Sequence, residues 1–260
     1  MNTQVLQGLL VPFFGTTLGA ALVFFLKRDL PEKVQKGLSG FAAGVMVAAS
    51  IWSLLIPALE GAADLGAWSF LPATVGFWLG ILFLLLLDRL VPHVHLDGEQ
   101  EGLRASLPRS MMVALAVALH NLPEGMAVGV VYAGSMQPEQ VGAVSAASAF
   151  ALAVGIALQN VPEGAIVAMP LRQAGMSRKK AFTLGMLSGA VEPLGALLTI
   201  GLAAVFAPMM PVMLSFAAGA MLYVVVEELV PEMAQGTHTN VGTVLFAVGF
   251  SLMMAMDYIL

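Results

Sequence analysis

Cysteine is absent from the 260 residues, and its absence excludes disulfide bonds and thiolate chemistry. Any metal site in this chain therefore has to use histidine, carboxylate, amide or methionine side chains. Charged residues are also scarce: they make up 10% of the chain, against about 25% in an ordinary soluble domain. With 59% hydrophobic residues and a mean hydropathy of +0.90, the composition is that of an integral membrane protein.

Eight apolar segments are long enough to cross a bilayer, which takes about 20 residues per helix. No long polar stretch separates them, so we predict an all-α polytopic membrane protein in which residues 1–260 form one domain with a loop at 88–109. The first helix should remain in the mature protein, because no Lys or Arg precedes it. The predicted helices lie near 5–26, 37–59, 66–87, 110–133, 142–171, 181–206, 209–231 and 241–259.

Basic residues are missing from the connections between helices two and three, four and five, and six and seven. Under the positive-inside rule, the connections that carry basic residues lie in the cytoplasm, and with eight helices both termini lie outside. All eleven fall in three groups: Lys27, Arg28, Lys33 and Lys36; Arg89, Arg104 and Arg109; and Arg172, Arg178, Lys179 and Lys180.

Three segments of the first half recur in the second half. Under the predicted topology the matched helices run in opposite directions, so the sequence indicates an inverted repeat of the form 3+2+3. Transporters with inverted repeats place their substrate site near the bilayer midplane, on interrupted helices. The pairs are GTTLGAAL (15–22) with VEPLGALL (191–198), GFAAGVM (40–46) with SFAAGAM (215–221), and SLLIP (53–57) with EELVP (227–231).

Helices four and five carry the related hexapeptides HNLPEG (120–125) and QNVPEG (159–164). Their glutamates, Glu124 and Glu163, and Glu192 of helix six are predicted to lie deep in the membrane, where an ionised carboxylate costs at least about 2.5–3.5 kcal/mol. No Lys or Arg lies at the same depth to pair with them. The three carboxyl groups are therefore protonated, hydrated or neutralised by a cation.

The spacing of these motifs places their polar side chains on shared helix faces. His120 and Glu124 are four residues apart, as are Gln159 and Glu163, and each proline removes a backbone donor and leaves a carbonyl free. Imidazole, amide and carboxylate ligands suit Zn²⁺, Fe²⁺, Mn²⁺, Co²⁺ or Cd²⁺, with one ion or two. The alternative is an ordinary helix N-terminus capped by Asn121, which would split helix four.

The paired motifs, followed by the Glu-Pro step of Glu192, resemble the ZIP (Zrt/Irt-like) metal transporters, most closely the prokaryotic GufA-like branch. The resemblance covers nearly the whole chain. It implies one metal position on His120, Glu124, Gln159 and Glu163, and a second on Asn121, Glu124, Asn160, Glu163 and Glu192. Relatives often have Asp where this chain has Asn160, so the second position should be weaker here.

Further residues are candidates for the route to and from this site. Met46 lies on one face of helix two with Ser53, and it resembles the methionine that GufA-like members offer the metal. Glu60 is placed to gather cations at the entrance. Candidates for the exit are Glu227 and Glu228, which resemble an exit relay, and a metal-receiving loop with His93, His95, Asp97, Glu99 and Glu101.

The expected function is uptake of divalent transition metals into the cytoplasm, zinc first and also cadmium, iron or manganese. The resemblance implies that helices one, four, five and six move as an elevator-like unit past helices two, three, seven and eight, in a homodimer in the cytoplasmic (inner) membrane. We expect no enzyme activity and no nucleic-acid partner. The alternatives are an intramembrane metal-dependent hydrolase, for which no additional base is evident, and a passive cation channel or an exporter.

Overall fold

A computed structural model describes residues 3–26, 30–94, 100–103, 106–136, 144–205 and 207–259. Within these ranges, eight helices are long and apolar enough to cross a membrane, which confirms the all-α polytopic class. They are α1 (Thr3–Ala21, continued by the 3₁₀ turn Leu22–Phe24), α2 (Glu32–Glu60), α3 (Phe70–Leu90), α4 (Arg109–Ser135), α5 (Ala146–Gln173), α6 (Arg178–Ser188 and Val191–Val205), α7 (Met210–Ala234) and α8 (Val241–Ile259).

The connections between helices contain little regular structure. Two strands of two residues each, β1 (His93–Val94) and β2 (Gln100–Glu101), pair antiparallel between α3 and α4. Short 3₁₀ turns cover Ala63–Trp68 and Ala207–Met209. The α3 helix runs to Leu90, three residues beyond the predicted end, and Asp88 within it accepts a hydrogen bond from Tyr223 of α7 at 3.0 Å.

Helix packing follows the inverted repeat. The most extensive contacts join α1 to α5, α4 to α6, α3 to α7 and α2 to α8. The repeat pairs helix one with six, two with seven, three with eight and four with five. Exchanging each helix for its repeat partner converts the α1–α5 contact into the α4–α6 contact, and the α3–α7 contact into the α2–α8 contact. The molecule therefore has a pseudo-two-fold axis. Its strongest packing falls within two groups, α1/α4/α5/α6 and α2/α3/α7/α8.

Glycines allow close backbone contact at two equivalent helix interfaces, the α1–α5 seam and the α4–α6 seam. A Cβ on Gly164 of α5 would collide with the carbonyl oxygen of Thr16, and a Cβ on Gly125 of α4 would collide with that of Glu192. Gly164 is the repeat equivalent of Gly125, and Thr16 is the equivalent of Glu192, so the two contacts are copies of each other. Glycine is needed at both positions because a backbone carbonyl cannot move aside as a flexible side chain can.

Both α2 and α7 widen into a π-helical turn at equivalent places, Ser50–Leu55 and Val225–Leu229. Each turn lies just before a proline, Pro57 or Pro231. A proline inside a helix lacks the amide hydrogen and its ring clashes with the carbonyl four residues earlier. A wider turn before the ring relieves that clash while the helix continues.

Side-chain contacts show which connections share a face of the bundle. Lys36 at the start of α2 donates to the carbonyl of Thr237 after α7 at 2.5 Å, and also pairs with Glu32 at 3.0 Å. Ser53, further along α2, donates to Asp257 near the end of α8 at 2.8 Å. We call the side with the α1–α2, α3–α4, α5–α6 and α7–α8 connections the basic-loop face, and the opposite side the termini face.

The α6 helix is interrupted. Its first part ends at Ser188 and its second begins at Val191. Pro193 has no amide hydrogen to bond the carbonyl of Gly189, and that carbonyl instead accepts the amide of Glu192 at 3.1 Å. The predicted span near 181–206 is confirmed as one membrane crossing, and the structure adds an interruption between Ser188 and Val191. The break places Glu192 in the first turn of a half-helix.

Candidate metal site

The α4 and α5 helices continue through the proline of each hexapeptide. The alternative in which Asn121 caps a new helix is therefore wrong. Asn121, Glu124, Gln159 and Asn160 are fully buried, and Glu192 is 1% exposed. Continuous helices thus hold polar groups in the interior of the bundle, where each unsatisfied group costs free energy.

Five acceptor oxygens at this place have no hydrogen-bond donor among the residues that the structure describes. Buried acceptors are nearly always paired, so five in one region of a bundle need a physical explanation. Every one belongs to a residue predicted to bind metal. They are Asn121 Oδ1, Glu124 Oε2, Gln159 Oε1, Glu163 Oε2 and Glu192 Oε2.

Other atoms of the same side chains fix their orientation. Asn121 Nδ2 donates to the carbonyl of Ser188 at the break in α6, at 3.2 Å. Gln159 Nε2 donates to Glu124 Oε1 and, at 2.9 Å, to Asn160 Oδ1. Thr16 donates to Glu192 Oε1 at 2.7 Å. Each of these residues therefore uses one polar atom for structure, and Asn121, Glu124, Gln159 and Glu192 each keep one oxygen without a donor.

Glu124, Glu163 and Glu192 interact electrostatically with one another, and Asn160 lies close to both Glu124 and Glu192. The sequence places no Lys or Arg at the same depth in the membrane. The three neighbouring carboxyl groups therefore repel each other if they are ionised. A divalent cation among them replaces that repulsion with attraction. The five oxygens are ligands of the kind that divalent metals accept.

His120 contacts α7 in this structure, and its role as a metal ligand stays a prediction. Its Nε2 lies 3.1 Å from Glu228 Oε1 of α7, with the two side chains 17% and 11% exposed. As the side chains stand, no three described His, Asp or Glu groups are positioned to hold an ion. Gln159 already donates to Glu124, and His120 faces Glu228. Coordination by the predicted first position therefore requires His120 to leave Glu228.

A route leads from these residues to the basic-loop face. His120, Glu163 and Glu228 line a cavity of about 40 Å³, room for about two or three water molecules. It adjoins a larger cavity of about 440 Å³, and Ser39 and Glu232 line both. Glu228 lines the smaller cavity, whereas Glu227 is exposed, and the role of both residues at the exit stays a prediction.

Glu232 and Ser39 were missed from the sequence. Ser39 donates to Glu232 Oε2 at 2.8 Å across the α2–α7 boundary. A signal for Glu232 was present, because it follows Glu228 by four residues and so lies on the same helix face. Thr16 was also missed, although it is the repeat equivalent of Glu192.

The termini face has its own cavity, of about 310 Å³, which shares no lining residue with the other two. Ser53, Glu60 and Asp257 line it, so the predicted entrance residue Glu60 lies near Ser53, another candidate for the route. Met46 is fully buried in the hydrophobic core, and its role as a metal ligand stays a prediction.

His93 lies in β1, just after the end of α3, and is not exposed to solvent. It is fully buried, with Nδ1 2.8 Å from the carbonyl oxygen of Val91 and Nε2 3.0 Å from Asp88 Oδ1. His95, Asp97 and Glu99 lie outside the described residues, as does the side chain of Glu101. The metal-receiving loop therefore stays a prediction, and His93 contributes to it only by leaving Asp88.

Comparison with known proteins identifies close relatives over most of the chain. A family model described as "ZIP Zinc transporter" matches residues 95–257. The human protein "Zinc transporter ZIP11" is 34% identical, and the match covers 98% of each chain. "Zinc transporter ZIPB" of Bordetella bronchiseptica is 39% identical over 94% of this chain and 77% of its own, and "Zinc transporter GufA" of Myxococcus xanthus is 36% identical over 94% of each.

Proposed function

Because the chain belongs to the ZIP family of zinc transporters, we propose that it carries divalent transition-metal ions, Zn²⁺ first, into the cytoplasm. The observation that carries the proposal is the set of five buried oxygens without donors, four on the paired hexapeptides and one on Glu192. Relatives named as transporters support neither the hydrolase nor the passive channel. The protein is a transporter and not an enzyme.

We further propose that the carboxylates and amides replace part of the ion's hydration shell. Glu124, Glu163 and Glu192 offset the cost of bringing a doubly charged ion into the bundle, and the neutral amide oxygens add ligands without adding charge. His120 supplies a borderline nitrogen ligand once it leaves Glu228, which favours Zn²⁺ and Cd²⁺ over harder ions. Return of His120 to Glu228 then frees one ligand position and assists release.

One bound ion is the occupancy we propose for ordinary conditions. Asn160 carries no charge, and its carbonyl oxygen already accepts a hydrogen bond from Gln159 at 2.9 Å. The second position therefore shares Glu124 and Glu163 with the first position. Its other ligands are Glu192 and the amides of Asn121 and Asn160. Less negative charge there gives weaker attraction for a second dication.

The cavities support a site that is accessible from the basic-loop face. If that face is cytoplasmic, as the positive-inside rule predicts, the conformation is inward-facing. The packing groups α1/α4/α5/α6 and α2/α3/α7/α8 support the proposed elevator-like movement, since the metal residues of α4, α5 and α6 lie in the first group. We also propose that the second group forms a homodimer contact in a prokaryotic inner membrane.

Reconstituted vesicles test the transport proposal. Purified protein should give saturable accumulation of Zn²⁺ or Cd²⁺, read by an enclosed metal-sensitive dye, and each metal should compete with the other. Fe²⁺ and Mn²⁺ are then added as competitors in the same assay, and the inhibition that each causes shows its relative affinity. Uptake equal to that of empty vesicles would refute transport, and a rate that rises linearly with metal concentration would favour a channel.

The proposed orientation has a direct test, because the chain has no native cysteine. Tyr258, at the termini face, is 91% exposed, and Ala174, after α5 at the basic-loop face, is also exposed. With a membrane-impermeant maleimide on intact spheroplasts, Tyr258→Cys should be labelled and Ala174→Cys should be labelled only after lysis. The opposite result would place both termini in the cytoplasm.

A further inference from the structure

The hydroxyl of Thr16 bonds to a residue of another helix, whereas three other helical threonines bond within their own helix. Thr17, Thr183 and Thr199 each donate to the carbonyl four residues earlier in their own helix, which satisfies the hydroxyl without any tertiary partner. Thr16 instead donates to Glu192 Oε1 of α6 at 2.7 Å, across 176 residues of sequence. Thr16 is fully buried and Glu192 is 1% exposed, so the bond is shielded from water.

Two glycines allow Thr16 to reach this position. A Cβ on Gly189, at the break in α6, would lie 2.7 Å from Thr16 Cβ and 2.9 Å from its Oγ1. A Cβ on Gly164 of α5 would collide with the Thr16 carbonyl oxygen. Thr16 therefore lies between α5 and the break, with its hydroxyl directed at the first turn of the second half-helix.

The bond determines which oxygen of Glu192 is left for a ligand. Oε1 is held by Thr16, while Oε2 has no donor among the described residues. A carboxylate free to rotate loses orientational entropy when it binds an ion, whereas one already held by a hydrogen bond has lost most of it. We propose that Thr16 is a positioning residue for transport, which orients Glu192 so that Oε2 faces the cation. This inference rests on the proposed function, since it takes Glu192 as a metal ligand.

Thr16→Val tests the inference, since valine keeps the shape of threonine and removes the hydroxyl. Loss of a residue that orients a metal ligand typically weakens metal binding by about 10- to 100-fold. We expect the Kd for Zn²⁺, measured by calorimetry on the purified full-length protein, to rise by at least about tenfold, and KM for uptake to rise in parallel. Thr16→Ser keeps the hydroxyl and should bind Zn²⁺ within about threefold of the native protein.

Thr17→Val is the matched control, because it removes the neighbouring hydroxyl, which bonds only to Phe13 of its own helix. It should leave the Kd unchanged. A Thr16→Val protein that binds Zn²⁺ as tightly as Thr17→Val overturns the inference, as does a Thr16→Ser protein as weak as Thr16→Val. Glu192→Gln separates the proposed metal site from the proposed role of Thr16. If Glu192→Gln weakens Zn²⁺ binding and Thr16→Val does not, Glu192 is a ligand and Thr16 does not position it. If both variants bind Zn²⁺ as tightly as the native protein, Glu192 is not a ligand.

Discussion

Glu124→Gln should lower the initial rate of Zn²⁺ uptake into vesicles by at least about 100-fold, to the level of empty vesicles. Glu124 belongs to both predicted metal positions, is fully buried, and interacts with the other two carboxyl groups. Removing one partner of a buried charge pair costs about 3–5 kcal/mol, and each 1.4 kcal/mol is about a tenfold change in affinity. Glutamine has nearly the same shape, so the loss is one of charge and not of packing.

Asp64→Asn is the matched control for Glu124→Gln. Asp64 lies in an exposed 3₁₀ turn at the termini face, and the same acid-to-amide change there should leave uptake unaffected. The Tm of each purified variant in detergent checks that the fold is intact. A folded Glu124→Gln protein that retains more than about a tenth of native uptake would contradict the site.

Gly164→Ala should destabilise the folded protein, although it adds only one methyl group. The added Cβ would collide with the carbonyl oxygen of Thr16, and the α1–α5 seam has to separate to accommodate it. Overpacking of this kind costs about 1–3 kcal/mol and sometimes more. Gly125→Ala should have a similar effect, because the corresponding Cβ meets the carbonyl oxygen of Glu192 at the equivalent seam.

Gly201→Ala provides the comparison. Gly201 also lies inside a membrane helix, but a Cβ there meets nothing within 4 Å. Alanine favours helix over glycine by about 1 kcal/mol, so this variant should melt at or above the native Tm. We expect Gly164→Ala and Gly125→Ala to melt several degrees lower than the native protein. Equal Tm values for Gly164→Ala, Gly125→Ala and Gly201→Ala would contradict the close backbone contacts at the α1–α5 and α4–α6 seams.

The number of spanning helices and the internal repeat could be predicted from the sequence because both depend on local properties. Apolar runs between clusters of charge define the helices, and prolines such as Pro57 and Pro231 mark matched positions. The residues with unsatisfied oxygens could also be predicted, since a buried carboxylate without a basic partner stands out in an apolar chain. What the sequence did not reveal was which atoms of those residues are already in use.

The break in α6 was missed because hydropathy is insensitive to main-chain hydrogen bonds. The segment as a whole is apolar enough to be read as one crossing, and the local signal for a break was the spacing of Gly189 and Pro193. The contact between His120 and Glu228 has no local signal at all. It depends on how α4 and α7 lie against each other, which no periodicity within either helix encodes.

Thr16 and Glu192 are equivalent in the two halves of the chain and touch each other, so the pseudo-two-fold axis passes between them. If the two halves arose by duplication of one ancestral gene segment, this is a position at which a residue faced its own copy. Two glutamates there would have repelled each other in an apolar interior, and two threonines would have lacked a charge for the ion. In the present chain one copy supplies a hydrogen-bond donor and the other the acid that accepts it, so the two halves are not interchangeable at this position.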